Sequence, residues 1–515
     1  MKKKYVRWTL WTIASPFILF IILCILIYLP PIQNFLVDKA AVYASEATGM
    51  NISVGRISLS FPLNLVVTNV DAASPHNDTL LSVRRLQVNV QLLPLLKKQV
   101  EVDGISLQGA TVNSNDLIHG MKLNGTLGEL FISSHGVALD PETAIVNKVL
   151  LKDTDLSLCL NDTAAADTAA SDTTYWKIIL QDIDLQNVSF ALDMPLDSLS
   201  LAASLDNAIL RDGLIDLHKS AYSLQTFRIE NGRVRYDNGK PLAADSLSSG
   251  LDPSHIALTD IGVKLDSLYY GGRNMKAIIS QFVLKERSGV EIVSATGRMV
   301  SNDKVLRVPS LKLETRDSYL ELNAAMDWNA LDFKGEGLMS ARLMADIGKP
   351  DVVRFMGRMD EKFVRQYPSE PLRIRTGIDG DLNKLKLTTL TAELPGALGL
   401  FARGELTHLT DSLLRGGDIT LEAETKDLKF VSTLAEGIEI PYGTRLEGKF
   451  TMAGAKMGTD LLLMQPEAQA VAAADTIPIT VYNDSISVAD DFKMERAARL
   501  FAKYDLSRDR YEADL

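Results

Sequence analysis

The sequence predicts a mainly β protein. An N-terminal transmembrane helix leads into an elongated, folded-over, groove-forming and solenoid-like β-sheet with a few short packed helices. Three observations predict this: one long uncharged stretch near the N-terminus, a change to period-two alternation after residue 50, and a short strand pattern that keeps returning.

The uncharged stretch runs from Trp8 to Val37, and its centre, Phe17 to Leu29, is almost purely apolar. A helix of about 20 such residues crosses roughly 30 Å of hydrocarbon. Lys2, Lys3, Lys4 and Arg7 precede it, and the next charge is Asp38. The positive-inside bias therefore places residues 1–7 in the cytoplasm as a basic tail, makes 8–29 a single membrane anchor, and exports the rest. Trp8, Trp11, Phe17, Phe20 and Tyr28 are the candidate anchor residues, with the tryptophans and the tyrosine at the two interfaces. A cleaved signal peptide would show small residues soon after the apolar run. Here Pro30-Pro31 follow instead, and bulky Leu23 before Cys24 does not suit a lipoprotein acceptor.

Residues 30–49 read as an amphipathic helix. Ile32, Phe35, Leu36, Ala40, Tyr43 and Ala47 share one face, and Gly49 is placed to end it. The N-terminal β region, 50–160, opens with Ile52 to Phe61, Leu63 to Val70 and Leu86 to Leu92 as strands. An acidic or glycine turn followed by alternating apolar residues then recurs at 102–112, 151–158, 180–192, 229–236 and 258–265. Residues 161–175 form a low-complexity, Ala/Asp/Thr-rich loop. A repetitive β groove region is expected over 176–464, an Ala-rich linker over 465–477 and a C-terminal tail over 478–515. The tail is helix-like from Phe492 to Tyr504, and the sequence suggests a chain that continues past Leu515.

A longer repeat lies in the second half. Lys334-Gly-Glu-Gly, Asp351-Val-Val-Arg-Phe355, Pro371 and Ile378-Asp-Gly-Asp-Leu382 are followed by a shorter second copy. That copy comprises Arg415-Gly-Gly-Asp, Asp427-Leu-Lys-Phe430, Pro441 and Leu446-Glu-Gly-Lys-Phe450. Val352, Phe355, Met356, Met359 and Phe363 read as one helical face packed on the sheet, ending before Pro368.

The chemistry of the chain is defined mostly by what it lacks. Its net charge is −11, and the first seven residues carry +4, leaving −15 for the rest, which argues against nucleic acid. Two cysteines, one inside the anchor, exclude a disulfide framework. The six histidines are scattered, and no nucleophile elbow, phosphate loop, dinucleotide fingerprint or zinc motif is present. We therefore expect no catalytic, cofactor or metal site and no enzyme. Asp followed by Ser or Thr and then an apolar residue recurs, as at Asp78-Thr79-Leu80 and Asp197-Ser198-Leu199. Turn chemistry explains it, and a bacterial O-glycosylation acceptor pattern is the other reading.

What the sequence does offer is a greasy strand face. Leu320, Leu322, Met326 and Trp328 alternate with Glu321, Asn323 and Asp327, and Leu311 and Leu313 alternate with Lys312 and Glu314. These six apolar residues are the candidate groove-lining set, because such a face must be covered by something. An ordinary sandwich core and an open trough are both compatible with it.

In its order of parts the chain resembles the AsmA-like family, and within it the TamB type of envelope protein. The resemblance is carried by the anchor, the helix ending Glu46-Ala-Thr-Gly49, Ile52-Ser-Val-Gly-Arg-Ile-Ser-Leu59 and Leu65-Val-Val-Thr-Asn-Val-Asp71. It extends to Leu311-Lys-Leu-Glu-Thr-Arg-Asp-Ser-Tyr-Leu320 and Pro371 to Gly380. It implies a bacterial inner-membrane protein with its body in the periplasm, offering a hydrophobic trough for phospholipid moving towards the outer membrane. At roughly 25 strands, about 4.8 Å apart, such a trough would run on the order of 110–120 Å. A scaffold that helps an outer-membrane barrel-assembly protein through exposed strand edges is the alternative, and a glycosidase-like enzyme on a β-solenoid is a third. The family supplies no catalytic residues.

Overall fold

The computed structural model describes residues 39, 41–42, 45–46, 48–60, 64–74, 78–91, 102–114, 120–138, 142–161, 176–239, 250–331, 337–357, 360–411, 413–434, 442–454, 456–466, 480–482, 485–487, 494–505 and 510–514. The predicted anchor 8–29 and nearly all of the expected loop 161–175 and linker 465–477 lie outside them. Among the described residues, no helix is long and apolar enough to cross a membrane. The protein is mainly β, with 26 strands among the described residues and few helices. It divides into two compact units, Met1–Lys240 and Pro241–Leu515.

In the first unit, the described residues between Lys39 and Thr48 are helical. Gly49, at φ 69°, ends that turn and donates its N–H to Ser45 O at 2.9 Å. A left-handed glycine is the usual way to satisfy the last carbonyls of a helix. The sheet follows as β1 (Asn51–Ser60), β2 (Asn64–Ala73), β3 (Thr79–Val90), β4 (Val102–Asn113), β5 (Met121–Ala138), β6 (Thr143–Leu160), β7 (Lys177–Met194), β8 (Leu199–Asp216), β9 (Ala221–Leu224) and β10 (Thr226–Asp237). Neighbours in sequence pair antiparallel from β1 to β6 and from β7 to β8, and β8 then pairs with both β9 and β10. The step from β6 to β7 is parallel.

The recurring acidic or glycine pattern does not end strands, as expected, but lies inside them. Gly55, Asn69, Arg84, Gly109, Gly128, Asp153, Asn187, Asp206 and Asn231 fall opposite one another between the paired residues of successive strands. Five of them are left-handed: Asn69 (φ 52°), Gly109 (60°), Asp153 (48°), Asn187 (51°) and Asn231 (52°). Asn, Asp and Gly tolerate that conformation best. The row is tied by Asn187 Nδ2 to Asp153 Oδ1 at 2.9 Å and Asn231 Nδ2 to Asp206 Oδ2 at 3.0 Å. Space is tight there: a Cβ on Gly128 would lie 2.8 Å from Asp153 Cβ.

The same row is where the apolar alternation changes phase. In β2, Leu65 and Val67 give way to Val70 and Ala72; in β7, Ile183 and Leu185 give way to Val188 and Phe190. A one-residue slip sends side chains to the other face of a regular strand. The backbone turn and the phase slip coincide, strand after strand.

The second unit is an antiparallel meander of β11 (His255–Gly271), β12 (Asn274–Glu286), β13 (Glu291–Ser301), β14 (Val305–Thr315), β15 (Tyr319–Asp327) and β16 (Met339–Ile347). It continues through β17 (Leu372–Gly380), β18 (Lys384–Leu394), β19 (Leu398–Thr407), β20 (Gly416–Thr425), β21 (Arg445–Ala453) and β22 (Lys456–Pro466). A short hairpin, β23 (Thr480–Tyr482) with β24 (Ser485–Ser487), intervenes before β25 (Met494–Asp505) joins β22 and β26 (Arg510–Asp514) joins β25. The expected helix from Phe492 to Tyr504 is therefore strand β25. Pairing with β22 overrides its helical propensity by setting Ala498, Leu500 and Ala502 opposite Leu463, Leu461 and Thr459.

The long repeat is real structure. β16, two helices, β17 and β18 correspond to β20, a 3-10 turn (Lys429–Thr433), β21 and β22. The expected single helical face over Val352–Phe363 is broken into α1 (Lys349–Met356) and α2 (Glu361–Gln366). Gly357, at φ 73°, ends α1, and Asp360 caps α2 by accepting the N–H of Lys362 at 2.8 Å. Val352 and Phe363 face the core as expected, but Phe355 and Met356 are left exposed.

That core sits at one rim of the sheet. Phe363, Tyr367, Leu394, Ala397, Leu428 and Phe430 are buried together, with Phe363 and Phe430 edge to face at 5.8 Å. Burial raises the Tyr367 phenol pKa above its ordinary value. Beneath it, fully buried Asp351 accepts from Ser318 Oγ at 2.6 Å and from the Thr315 hydroxyl, and pairs with Arg354 at 3.0 Å. These contacts lock α1 to the turn between β14 and β15.

Candidate functional site: one apolar face across the second unit

The register sets the apolar residues of successive strands side by side. One row runs Leu313, Leu320, Ala345, Ile374, Ala392, Leu400, Ala423, Leu446 and Leu463, from β14 to β22. The next runs Leu311, Leu322, Leu343, Thr376, Leu390, Ala402, Leu421, Gly448 and Leu461. Towards the rim opposite the helices, Met326 pairs with Met339, and Met452 with Met457. Strand β18 keeps the rows aligned by a bulge at Thr388–Thr389, where Thr388 Oγ1 donates to Gly377 O at 2.9 Å.

The alternate positions carry the charges. Arg375 meets Asp346 at 2.7 Å, Lys384 meets Glu405 at 3.2 Å, and Arg445 meets Glu447 at 3.1 Å. Tyr319 donates to Glu321 Oε2 at 2.8 Å, and that carboxylate raises the phenol pKa. A shallow depression on this face is lined by Glu422, Glu447, Lys449, Asp460 and Arg499; both Asp460 oxygens accept from Arg499. Met344, Phe401, Leu462 and Met464 are apolar among these positions, and the Phe401 ring is buried beneath the Arg403 guanidinium, 5.9 Å from its centre.

Large side chains on the apolar face are half-buried rather than buried, including Leu311, Leu313, Leu320, Leu322, Leu343, Leu390, Leu421 and Leu461. Those that are fully covered are mostly small: Ala295, Ala345, Ala402 and Ala423. The interior of a closed two-layer sandwich would bury the leucines too. Apolar surface left accessible over so many adjacent strands is uncommon.

Of the six residues expected to line this surface, five lie on it together: Leu311 and Leu313 on β14, and Leu320, Leu322 and Met326 on β15. Trp328 does not, because β15 ends at Asp327. Trp328 opens a 3-10 turn (Trp328–Leu331) and donates Nε1 to Asn302 O at 2.8 Å, with the Arg273 guanidinium 5.7 Å from its ring. The five expected anchor residues, Trp8, Trp11, Phe17, Phe20 and Tyr28, lie outside the described residues. The groove region expected over 176–464 contains the continuation through β16 to β22, although no residue of those strands is among the six candidates.

Among the described residues, no group of three or more His, Cys, Asp or Glu side chains is placed to hold a metal ion. No family model matches the chain. No curated protein matches it either.

Proposed function

We propose that this chain is an inner-membrane-anchored envelope protein whose apolar sheet face carries the acyl chains of phospholipid across the periplasm, in the manner the AsmA-like resemblance implies. The observation that carries the reading is the half-exposed apolar face running unbroken from β14 to β22 with charges confined to the alternate positions.

The physics of the cargo matches such a surface. Each acyl methylene moved from an apolar setting into water costs about 0.8 kcal/mol. Two acyl chains therefore make aqueous diffusion very slow, and a continuous apolar strip lowers that barrier without a specific pocket. In this reading the sheet folds over along its length, the strip becomes the floor of a trough, and the charged positions face water. The role is transport rather than catalysis, and it supports outer-membrane biogenesis.

The test is mass spectrometry of lipid co-purifying with the full chain in mild detergent. The expected result is phospholipid retained by the folded protein. A chain with its far-ultraviolet β signal intact and no bound phospholipid would overturn the reading.

A further inference from the structure

Alternate hairpins of the second unit emerge at the same edge, and the rim opposite the helices differs from the rim they close. It gathers Tyr269 and Tyr270 at the end of β11, Trp328, Leu338 before β16, and Leu413 and Leu414 before β20. Leu413 is 85% exposed, Leu338 65% and Leu414 63%. The two leucine-bearing connections occupy the same place in successive copies of the long repeat, four strands or about 19 Å apart. The second is a built turn: Asp411 Oδ1 accepts the N–H groups of Leu413 at 2.8 Å and Leu414 at 3.2 Å. Trp328 bridges three successive hairpins through Asn302 and Arg273.

We infer that this rim docks on a phospholipid bilayer and is where lipid passes onto or off the apolar face. The inference rests on the conduit reading and adds the place of exchange to it. Leu, Tyr and Trp, with an arginine on the indole, are the side chains a membrane interface selects, because each has an apolar body and two have a polar tip. They stand singly or as adjacent pairs on separate connections, with polar Asn302, Asp303, Asp381 and Asn383 between them. A protein partner would need a packed, continuous core of roughly 800 Å² on each side; a fluid bilayer accepts discrete insertions. The Met326–Met339 and Met452–Met457 pairs lie next to this rim, so an acyl chain entering there meets apolar surface at once. At the other rim the Phe363–Tyr367–Phe430 cluster stands over the strand ends.

The full chain, with Cys24 and Cys159 replaced by Ala, is labelled with an environment-sensitive dye at Leu413→Cys, Lys386→Cys or Phe355→Cys and reconstituted into phosphatidylcholine vesicles. Spin-labelled lipid should quench the dye at 413 and leave 386, on the charged face, and 355, at the helical rim, unaffected. Equal quenching at all three positions, or none at 413, overturns the inference. Leu413→Asp with Leu414→Asp should slow loading of fluorescent phospholipid from vesicles by roughly ten-fold, one decade of affinity for the bilayer. Lipid bound from detergent should be unchanged; an unchanged loading rate would also overturn it. Selective quenching at 413 on a chain that retains no phospholipid would keep the rim and sink the conduit.

Discussion

Replacing Leu320 and Leu322 with aspartate places two carboxylates in adjacent rows of the apolar face. Leu320 lies between Leu313 and Ala345, and Leu322 between Leu311 and Leu343. Both leucines are half-buried, so the substitution forfeits about half of the 1.5–3 kcal/mol that full burial of each supplies, roughly 1.5–3 kcal/mol together. Without lipid the carboxylates can stay hydrated, and the sheet should fold. An acyl chain crossing the pair meets them about 6.8 Å apart, the length of roughly five methylenes. Losing that apolar contact removes about 4 kcal/mol, near a thousand-fold in lipid occupancy. The control is Asn323→Asp, which adds one such carboxylate at an exposed position opposite Arg342. The assay compares protein level, far-ultraviolet dichroism and phospholipid bound per chain. Normal abundance with lipid lost in the double variant alone is the expected outcome. Wild-type lipid content would refute the path, and loss of the folded protein would mean the face is a closed core.

Four further outcomes are expected. Asn69→Gly should leave protease resistance of the first unit unchanged, whereas Asn69→Val should cost about 1–2 kcal/mol, since a β-branched residue resists φ 52°. Phe363→Ala should cost about 3–5 kcal/mol and expose residues 349–366 to limited proteolysis, because the ring is buried against Tyr367 and Phe430. Burial raises the Glu424 pKa above the ordinary 4.5, outweighing Arg445 and Lys426, so its native state holds a proton more tightly than the unfolded chain. Stability should therefore fall as pH rises from about 4.5 through the raised value, and Glu424→Gln should flatten that slope in thermal melts at several pH values. A reporter requiring export should be active when fused after Leu515, and cytoplasmic fluorescence there would refute the orientation drawn from Lys2, Lys3, Lys4 and Arg7.

Period-two alternation made the β class and most of the early strands legible, because each strand offers one apolar face and one polar face. The five candidate residues found on the apolar face were legible for the same reason. What misled was phase. Asp153 and Asn187 have the composition of turn residues, and only the pairing of Lys152 with Gln186 and Thr154 with Val188 reveals that the strand continues through them. The tail from Met494 has helical composition, and its fate depends on the partner strand β22, whose residues from Lys456, paired with Asp505, to Pro466, paired with Met494, no local window contains. Trp328 kept the alternation by chance while its indole N–H was claimed by Asn302.

The parallel step between β6 and β7 has a consequence for how the first unit is assembled. From β1 to β6, and again from β7 to β8, each pairing closes through a connection between sequence neighbours, the kind of local event completed in microseconds. Strand β7 cannot zip onto β6 that way, because Thr143 pairs with Lys177 and Cys159 with Asp193. The start of β7 must first reach the start of β6, the far end of an eighteen-residue strand. Loop closure must be met before that pairing returns any energy, which slows it relative to the hairpins on either side. Folding is therefore expected to proceed as two growing ribbons, β1–β6 and β7–β10, whose exposed long edges meet last. The lifetime of those two edges, rather than the stability of either ribbon, sets how vulnerable the nascent chain is to pairing with another copy of itself.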